Sequence, residues 1–327
     1  MILVTGGAGY VGAQLVEELI RDGYKVRVLD WFIYEDNPYS PEIDAVIEKI
    51  KGDIRNAETV KKALNGVDTI FHLAAISNDP SGDLNPHLTW EVNYHGTLQL
   101  LQLAKNAGVR RFINASTASV YGVQEADRVT EDCVLRPITV YAETKARAED
   151  EVLACNSKEF TTVSVRPGTL VGYSRRLRLD LVANIFVCQA MTKGRILVMG
   201  GHQMRPLLAI EDMVSVYKML LRANPNVVGR HTFNVNTDNF SVMKIAELVV
   251  NCVGEPVEIE VAPTNDSRSY RLYSGKITKI LEWTPRRDIR TSIECLVQRF
   301  RQGDIENPHE KKYRNVDLMK ELQLALY

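Results

Sequence analysis

Three glycines spaced three apart, Gly6, Gly9 and Gly12, lie between an apolar run, Ile2-Leu3-Val4-Thr5, and a helical pattern, Ala13-Gln14-Leu15-Val16-Glu17-Glu18-Leu19-Ile20. One glycine supplies the backbone angles of a tight turn, another lets the chain approach a pyrophosphate, and the third lets the helix pack close to the strand with its first amides facing the anion. A second apolar strand, Lys25-Val26-Arg27-Val28-Leu29, ends in Asp30, where a carboxylate accepts hydrogen bonds from an adenosine ribose. Strand, glycine loop, helix, strand and acid together predict a dinucleotide cradle, with Gly6, Gly9, Tyr10, Val11, Gly12 and Asp30 against the cofactor. The Asp30 carboxylate repels a 2′-phosphate, and neither Trp31 nor Phe32 brings a cation to offset it, so NAD is expected rather than NADP. Arg27, inside its strand, is expected to be a solvated edge residue.

Strands and helices then alternate. Asp68 to Leu73 reads as a buried strand, Trp90 to Asn106 as a helix stopped by Gly108, and Arg111 to Ala115 as the next strand. Tyr141 to Ala154 reads as a helix and Thr162 to Arg166 as a strand closed by Pro167-Gly168. This is the pattern of an α/β fold, a Rossmann-type doubly wound parallel sheet with a smaller C-terminal substrate lobe. Residues 1–168 are expected to be mainly the dinucleotide-binding domain. Residues 169–300 are expected to be mainly the substrate lobe, with some chain returning to the first domain, and 301–327 a tail. Irregular elements after about residue 170 include helices from Ile210 to Arg222 and from about Ser241 to Cys252. In the tail, Leu318 to Leu324 reads as a short surface helix.

Composition narrows the classes of partner. With 40 basic and 41 acidic side chains and a formal net charge of -1, nothing points to nucleic acid or an anionic membrane. No apolar run approaches the roughly 20 residues needed to span a bilayer, and the first strand starts at Ile2, so a cytoplasmic protein is expected. The five cysteines are widely spaced without a CxxC pair, and the six histidines lack ligand spacing, so reduced thiols and no metal are expected.

Tyr141-Ala142-Glu143-Thr144-Lys145 places a phenol and an ammonium one helical turn apart on one face. The cation, aided by a positively charged nicotinamide, is expected to lower the phenol's proton affinity from its reference near 10 towards the working range, making Tyr141 a general base. Upstream, Ala115-Ser116-Thr117-Ala118-Ser119-Val120-Tyr121-Gly122 puts small hydroxyls at the carboxyl end of a strand, where they can meet a reacting oxygen.

With these motifs in order, joined by Gly52-Asp53-Ile54-Arg55, His72-Leu73-Ala74-Ala75 and Val92-Asn93, the chain resembles the nucleotide-sugar epimerases and dehydratases of the extended short-chain dehydrogenase/reductase superfamily, from Met1 to about residue 290. The resemblance implies that Asp53 and Ile54 flank the adenine, that Leu73, Ala74, Ala75 and Ser116 border the cofactor, and that Asn93 braces the site. It further implies that Lys145 holds the nicotinamide ribose and that Thr117 is the catalytic hydroxyl beside Tyr141. Dehydratases of the family carry an Asp-Glu pair just after that hydroxyl; here Ala118 and Ser119 stand there, and neither shuttles a proton.

The resemblance thus implies an NAD-dependent nucleotide-sugar epimerase working by hydride transfer at C4. A 4-dehydrogenase or ketoreductase releasing a keto sugar is the alternative, and a 4,6-dehydratase or a non-catalytic sensor is less favoured. The substrate is expected to be a nucleotide-diphosphate sugar met by Thr117, Thr169, Arg178, Arg205 and Arg268. Two guanidinium forks suit a diphosphate. Thr169 replaces the asparagine of many relatives, and Ser174-Arg175-Arg176-Leu177-Arg178-Leu179-Asp180 is an unusual basic loop. Relatives commonly form homodimers through the Trp90 and Tyr141 helices, as a four-helix bundle.

Overall fold

The computed structural model describes residues 1–34, 37–124, 126–266 and 268–324. Its strands are β1 Ile2–Thr5, β2 Val26–Asp30, β3 Glu48–Lys51, β4 Thr69–His72, β5 Arg111–Ala115, β6 Thr161–Pro167, β7 Thr169–Val171, β8 Arg195–Met199, β9 Met204–Ala209, β10 His231–Val235, β11 Asp238–Ser241 and β12 Glu258–Ala262. Seven form one parallel sheet in the order β10-β6-β5-β4-β1-β2-β3. Helices cover both faces, so β1 and β4 are buried along their whole length. Strand order reverses beside β1, which opens a crevice at the carboxyl ends of β1 and β4. Thr5 and His72 pair there in register, with Thr5 Oγ1 2.8 Å from His72 Nδ1 and Thr97 Oγ1 2.8 Å from His72 Nε2. Burial drives that imidazole down to about 3 and keeps it neutral.

Helix α1, Tyr10–Arg21, follows the glycine loop and buries Leu15, Val16 and Leu19 against the sheet. The segment from Pro86 to Asn106 departs from a single regular helix. It begins earlier than Trp90, because Asn85 accepts from Leu88 N at 3.0 Å and Pro86 suits the first helical position. A π turn interrupts it at Glu91–His95 before α-helix resumes at Gly96–Asn106.

Arg27 is not a solvated edge residue. β3 forms the edge instead, and the Arg27 guanidinium is buried, donating to Glu48 Oε2 and to the carbonyls of Ala63 and Asn65, each at 2.7 Å.

The chain after β6 builds two further small sheets, β11-β9-β7 and β12-β8, and returns to the large sheet at β10. A separate apolar core fills this region, where Phe186, Ile245, Val249, Ile293 and Leu296 meet. The tail does more than lie on the surface. Its helix, Asn315–Glu321, buries Asn315, Leu318 and Met319, and Met319 joins the core beside Val60, Leu88 and Phe112. All five cysteines are free thiols, and no helix among the described residues is long and apolar enough to cross a membrane.

Candidate active site

A cavity of ≈ 710 Å³ opens at the carboxyl ends of the large sheet. Gly6, Gly9, Tyr10, Val11 and Gly12 form its wall after β1, Asp30 its wall after β2, and Ile54 its wall after β3. The glycines are needed: Gly6 has φ +72°, and a Cβ there would stand 2.6 Å from Ala74 N, while one on Gly12 would stand 2.2 Å from Gly6 O. Asp30 accepts from Ala8 N at 3.0 Å and Phe32 N at 2.8 Å, which fixes its carboxylate beside the glycine loop. Burial raises its pKa, against the pull of those amides. A bare backbone cradle ending in a fixed carboxylate fits a dinucleotide such as NAD.

Leu73, Ala74 and Ala75 line the cavity after β4, and Ser116 and Thr117 after β5. Two expected cofactor residues do not. Asp53 turns to the exposed Arg55, pairing with Nη2 at 2.7 Å, because Arg55 follows within the same tight turn. Asn93 is fully buried behind the wall, where its amide holds Ile76 N at 2.8 Å and Ile76 O at 3.0 Å. The π turn carries it, and its two bonds tie that turn to the loop after β4.

Tyr141 and Lys145 also line the cavity, on the helix Val140–Ala154, whose cap is Thr139 accepting from Ala142 N at 3.2 Å. Thr117 lines the same cavity and favours the ionised form of the phenol. Lysine was expected to lower the phenol's pKa, but in the protein alone burial raises it to about 12 while Thr117 and Arg178 pull the other way and Asp79 adds to the rise. Burial likewise brings Lys145 down to about 8, against the pull of Glu149.

Thr169, Arg178, Arg205 and Arg268 complete the lining from the C-terminal half, but the three arginines already hold carboxylates. Arg268 forks onto Asp266 at 2.8 and 2.7 Å and reaches Asp79 with its third nitrogen. Arg205 pairs with the same Asp266 at 2.8 Å, and Arg178 pairs with Asp180 at 2.8 Å. Asp79 also accepts from Thr139 Oγ1 at 2.6 Å and Ser119 Oγ at 3.3 Å. Asp79, Tyr270, Tyr34 and Asn315 line the cavity too, and sequence reasoning missed all four. Asn78-Asp79-Pro80 reads only as a turn, and Asn315 lies in a polar tail without periodicity.

Residues 2–236 match the family described as "NAD dependent epimerase/dehydratase family". The chain belongs to that family. As a member of it, the protein is an NAD-dependent enzyme of the extended short-chain dehydrogenase/reductase type. It is 26% identical to a UDP-glucose 4-epimerase of Lactobacillus helveticus, over 88% of this chain and 92% of that protein. It is 32% identical to UDP-glucuronic acid decarboxylase 1 of Arabidopsis thaliana, over 92% of this chain and 69% of that protein. Among solved structures it is similar to the Thermus thermophilus UDP-glucose 4-epimerase in complex with NAD, with TM-score 0.80 and 26% identity, covering 92% of this chain and 98% of that one.

Proposed function

We propose that this family member is a nucleotide-sugar 4-epimerase. The observation that carries the reading is that Thr117, Tyr141 and Lys145 line one cavity, while the residues after Thr117, at a dehydratase's acid and base positions, are the buried Ala118 and the lining Ser119. Tyr141 accepts the proton of the sugar 4-hydroxyl, Thr117 hydrogen-bonds the same oxygen, and Lys145 stands one turn along the same helix face. NAD held by the glycine cradle supplies the hydride acceptor for C4. Epimerisation then needs only that the keto sugar turn over within the cavity and regain hydrogen on its other face.

Two arrangements support a neutral hexose over a uronic acid. Arg268 is committed to Asp266 and Asp79 through all three of its nitrogens, so a sugar carboxylate would have to compete with both. Asp79 itself lines the cavity close enough to act on the Tyr141 phenol, and it would repel a uronate. A loss of water is disfavoured because the Asp79 carboxylate is occupied by Thr139, Ser119 and Arg268. Trp90 and Tyr94, in edge contact at 5.5 Å beside the helix Val140–Ala154, belong to the face through which a homodimer forms, and the free cysteines suit a reducing compartment such as the cytoplasm.

The test is incubation with UDP-glucose, UDP-galactose and UDP-glucuronate, followed by chromatography of the nucleotide sugars. Interconversion of the two hexoses without accumulation of NADH is expected. Carbon dioxide from UDP-glucuronate, or NADH with a released keto sugar, would replace the epimerase by a decarboxylase or a dehydrogenase.

A further inference from the structure

The basic loop noted in the sequence crosses over the start of α1. Tyr10 donates its hydroxyl to Gly172 O at 2.7 Å, and Arg175 Nε lies 3.0 Å from Glu17 Oε1, so both ends of the crossing are pinned to that helix. Asn184 fixes it from behind, donating to the Tyr10 hydroxyl at 3.2 Å and to Arg178 O at 2.9 Å. Arg176 thus lines the same cavity as the glycine loop. It is 3% exposed and lines the cavity, with its guanidinium 3.8 Å from the Tyr34 ring centre.

Its neighbour Arg178 is neutralised by Asp180, but Arg176 is not in ion-pair contact with any described carboxylate. Its partners are neutral: Asn315 Oδ1, at 2.5 Å from Nη2, and the Tyr34 ring. Its Nε is buried with no acceptor at all. Asp30 and Asp180 feel its charge from beyond contact distance, and burial brings the guanidinium down to about 10. Removing a fixed cation from water and leaving one of its donors without an acceptor destabilises the empty protein. The arrangement makes sense when an anion completes it. Asn315, which also donates to Ser77 O at 3.2 Å and Ser77 Oγ at 3.0 Å while its own amide donates to Asp180 at 3.1 Å, ties this guanidinium to the C-terminal segment.

We propose that Arg176, backed by Tyr34 and held by Asn315, closes over the diphosphate of the bound dinucleotide from the side opposite the glycine loop, so that the C-terminal segment sets how firmly NAD is retained. Diphosphate is shared by the cofactor and the nucleotide sugar. Arg176 belongs to the cofactor's, because the loop that carries it is pinned to α1, the helix that follows the glycine loop, at Tyr10 and Glu17, whereas Arg205 and Arg268 sit together around Asp266. The inference concerns retention of NAD and holds whichever sugar the enzyme converts.

Calorimetric titration of cofactor-stripped protein with ADP-ribose, adenosine and UDP tests it. Arg176→Met should weaken ADP-ribose about tenfold or more, leave adenosine and UDP within about twofold, and leave thermal stability without ligand unchanged or higher. Arg176→Lys, which keeps the charge but not the fork, should regain part of the loss, and Asn315→Leu should weaken ADP-ribose with the same indifference to adenosine. Equal ADP-ribose affinity in the parent and Arg176→Met would overturn the proposal. So would a loss confined to UDP, which would place the guanidinium on the nucleotide sugar, or an equal loss for adenosine, which would make Arg176 a structural prop.

Discussion

The two halves of the cavity are made of different material. After β1, β2 and β4 the wall is largely backbone: Gly6, Gly9 and Gly12 present amides and carbonyls, and one carboxylate, Asp30, is fixed by two further amides. Across from it, the C-terminal half presents ions held to ions, in the run Arg205–Asp266–Arg268 and the pair Arg178–Asp180, and Arg268 reaches back to Asp79 after β4. Backbone cannot be exchanged by mutation, and its geometry tolerates only one residue type at the glycine positions. Ion networks can be rewired one side chain at a time. A family that keeps one cofactor while changing its sugar chemistry would need this division, with constancy in the amides and variety in the charges.

The sharpest break between redox chemistry and binding should come from Tyr141→Phe. The backbone and Cβ of the residue still sit against Gly82, where an added Cβ would come within 2.8 Å of Tyr141 Cβ, but no proton can be exchanged. Turnover is expected to fall about 10³-fold while NAD affinity stays within a few-fold, by steady-state kinetics and calorimetry. A variant retaining parental turnover would remove Tyr141 from the chemistry. On the backbone side, Gly12→Ala drives a methyl against Gly6 O and should cost about 1–3 kcal/mol of NAD binding, roughly tenfold to a hundredfold, with UDP unaffected. If UDP binding fell equally, the two halves would not be separable.

This division also explains what the sequence disclosed. Glycine spacing, strand polarity and the acid at Asp30 are local patterns, since a tight turn, a helix start and a strand end are each settled within a few residues. They were enough for the sheet and the glycine wall, and the three residues that the helix spacing and the resemblance singled out, Thr117, Tyr141 and Lys145, line one cavity. Asp79 and Arg268 are 189 residues apart, and Asn315 reaches Ser77 across 238. Such contacts leave no periodicity in the chain. Arg27 misled for a related reason, since a β-strand arginine reads as an edge residue until β3 and the segment Ala63 to Asn65 close over it. The phenol of Tyr141 misled because spacing shows which groups share a helix face but not how deeply the fold buries them.

Asp266→Asn probes the charged half. It strips one carboxylate from two guanidinium groups, and stability should fall by about 1–2 kcal/mol, a modest value because Asp266 is partly exposed. UDP should bind a few-fold tighter as the freed forks meet its diphosphate, and NAD should bind as before. Weaker UDP binding would show that Asp266 positions the arginines rather than competing for them.

The smallest effect is that of pH on Lys145. Burial depresses it from 10.5 to about 8, so between those values the unfolded chain carries a proton that the folded one has released. Stability therefore rises with pH across that window. Denaturant unfolding of the cofactor-free protein should show the parent gaining on the order of 1 kcal/mol over Lys145→Met between pH 8 and pH 10. Parallel pH curves would mean that Lys145 keeps an ordinary pKa.

The central claim is oxidation and reduction at one sugar carbon by Thr117, Tyr141 and Lys145, and its most direct test is a UDP-hexose deuterated at C4. Equilibration of the 4-epimers with deuterium retained at C4 of the product, a primary isotope effect on turnover and no NADH accumulating in solution is the predicted result. Transfer of the label to released NADH, loss of water to a 6-deoxy product, or inversion at another carbon with no isotope effect at C4 would contradict it.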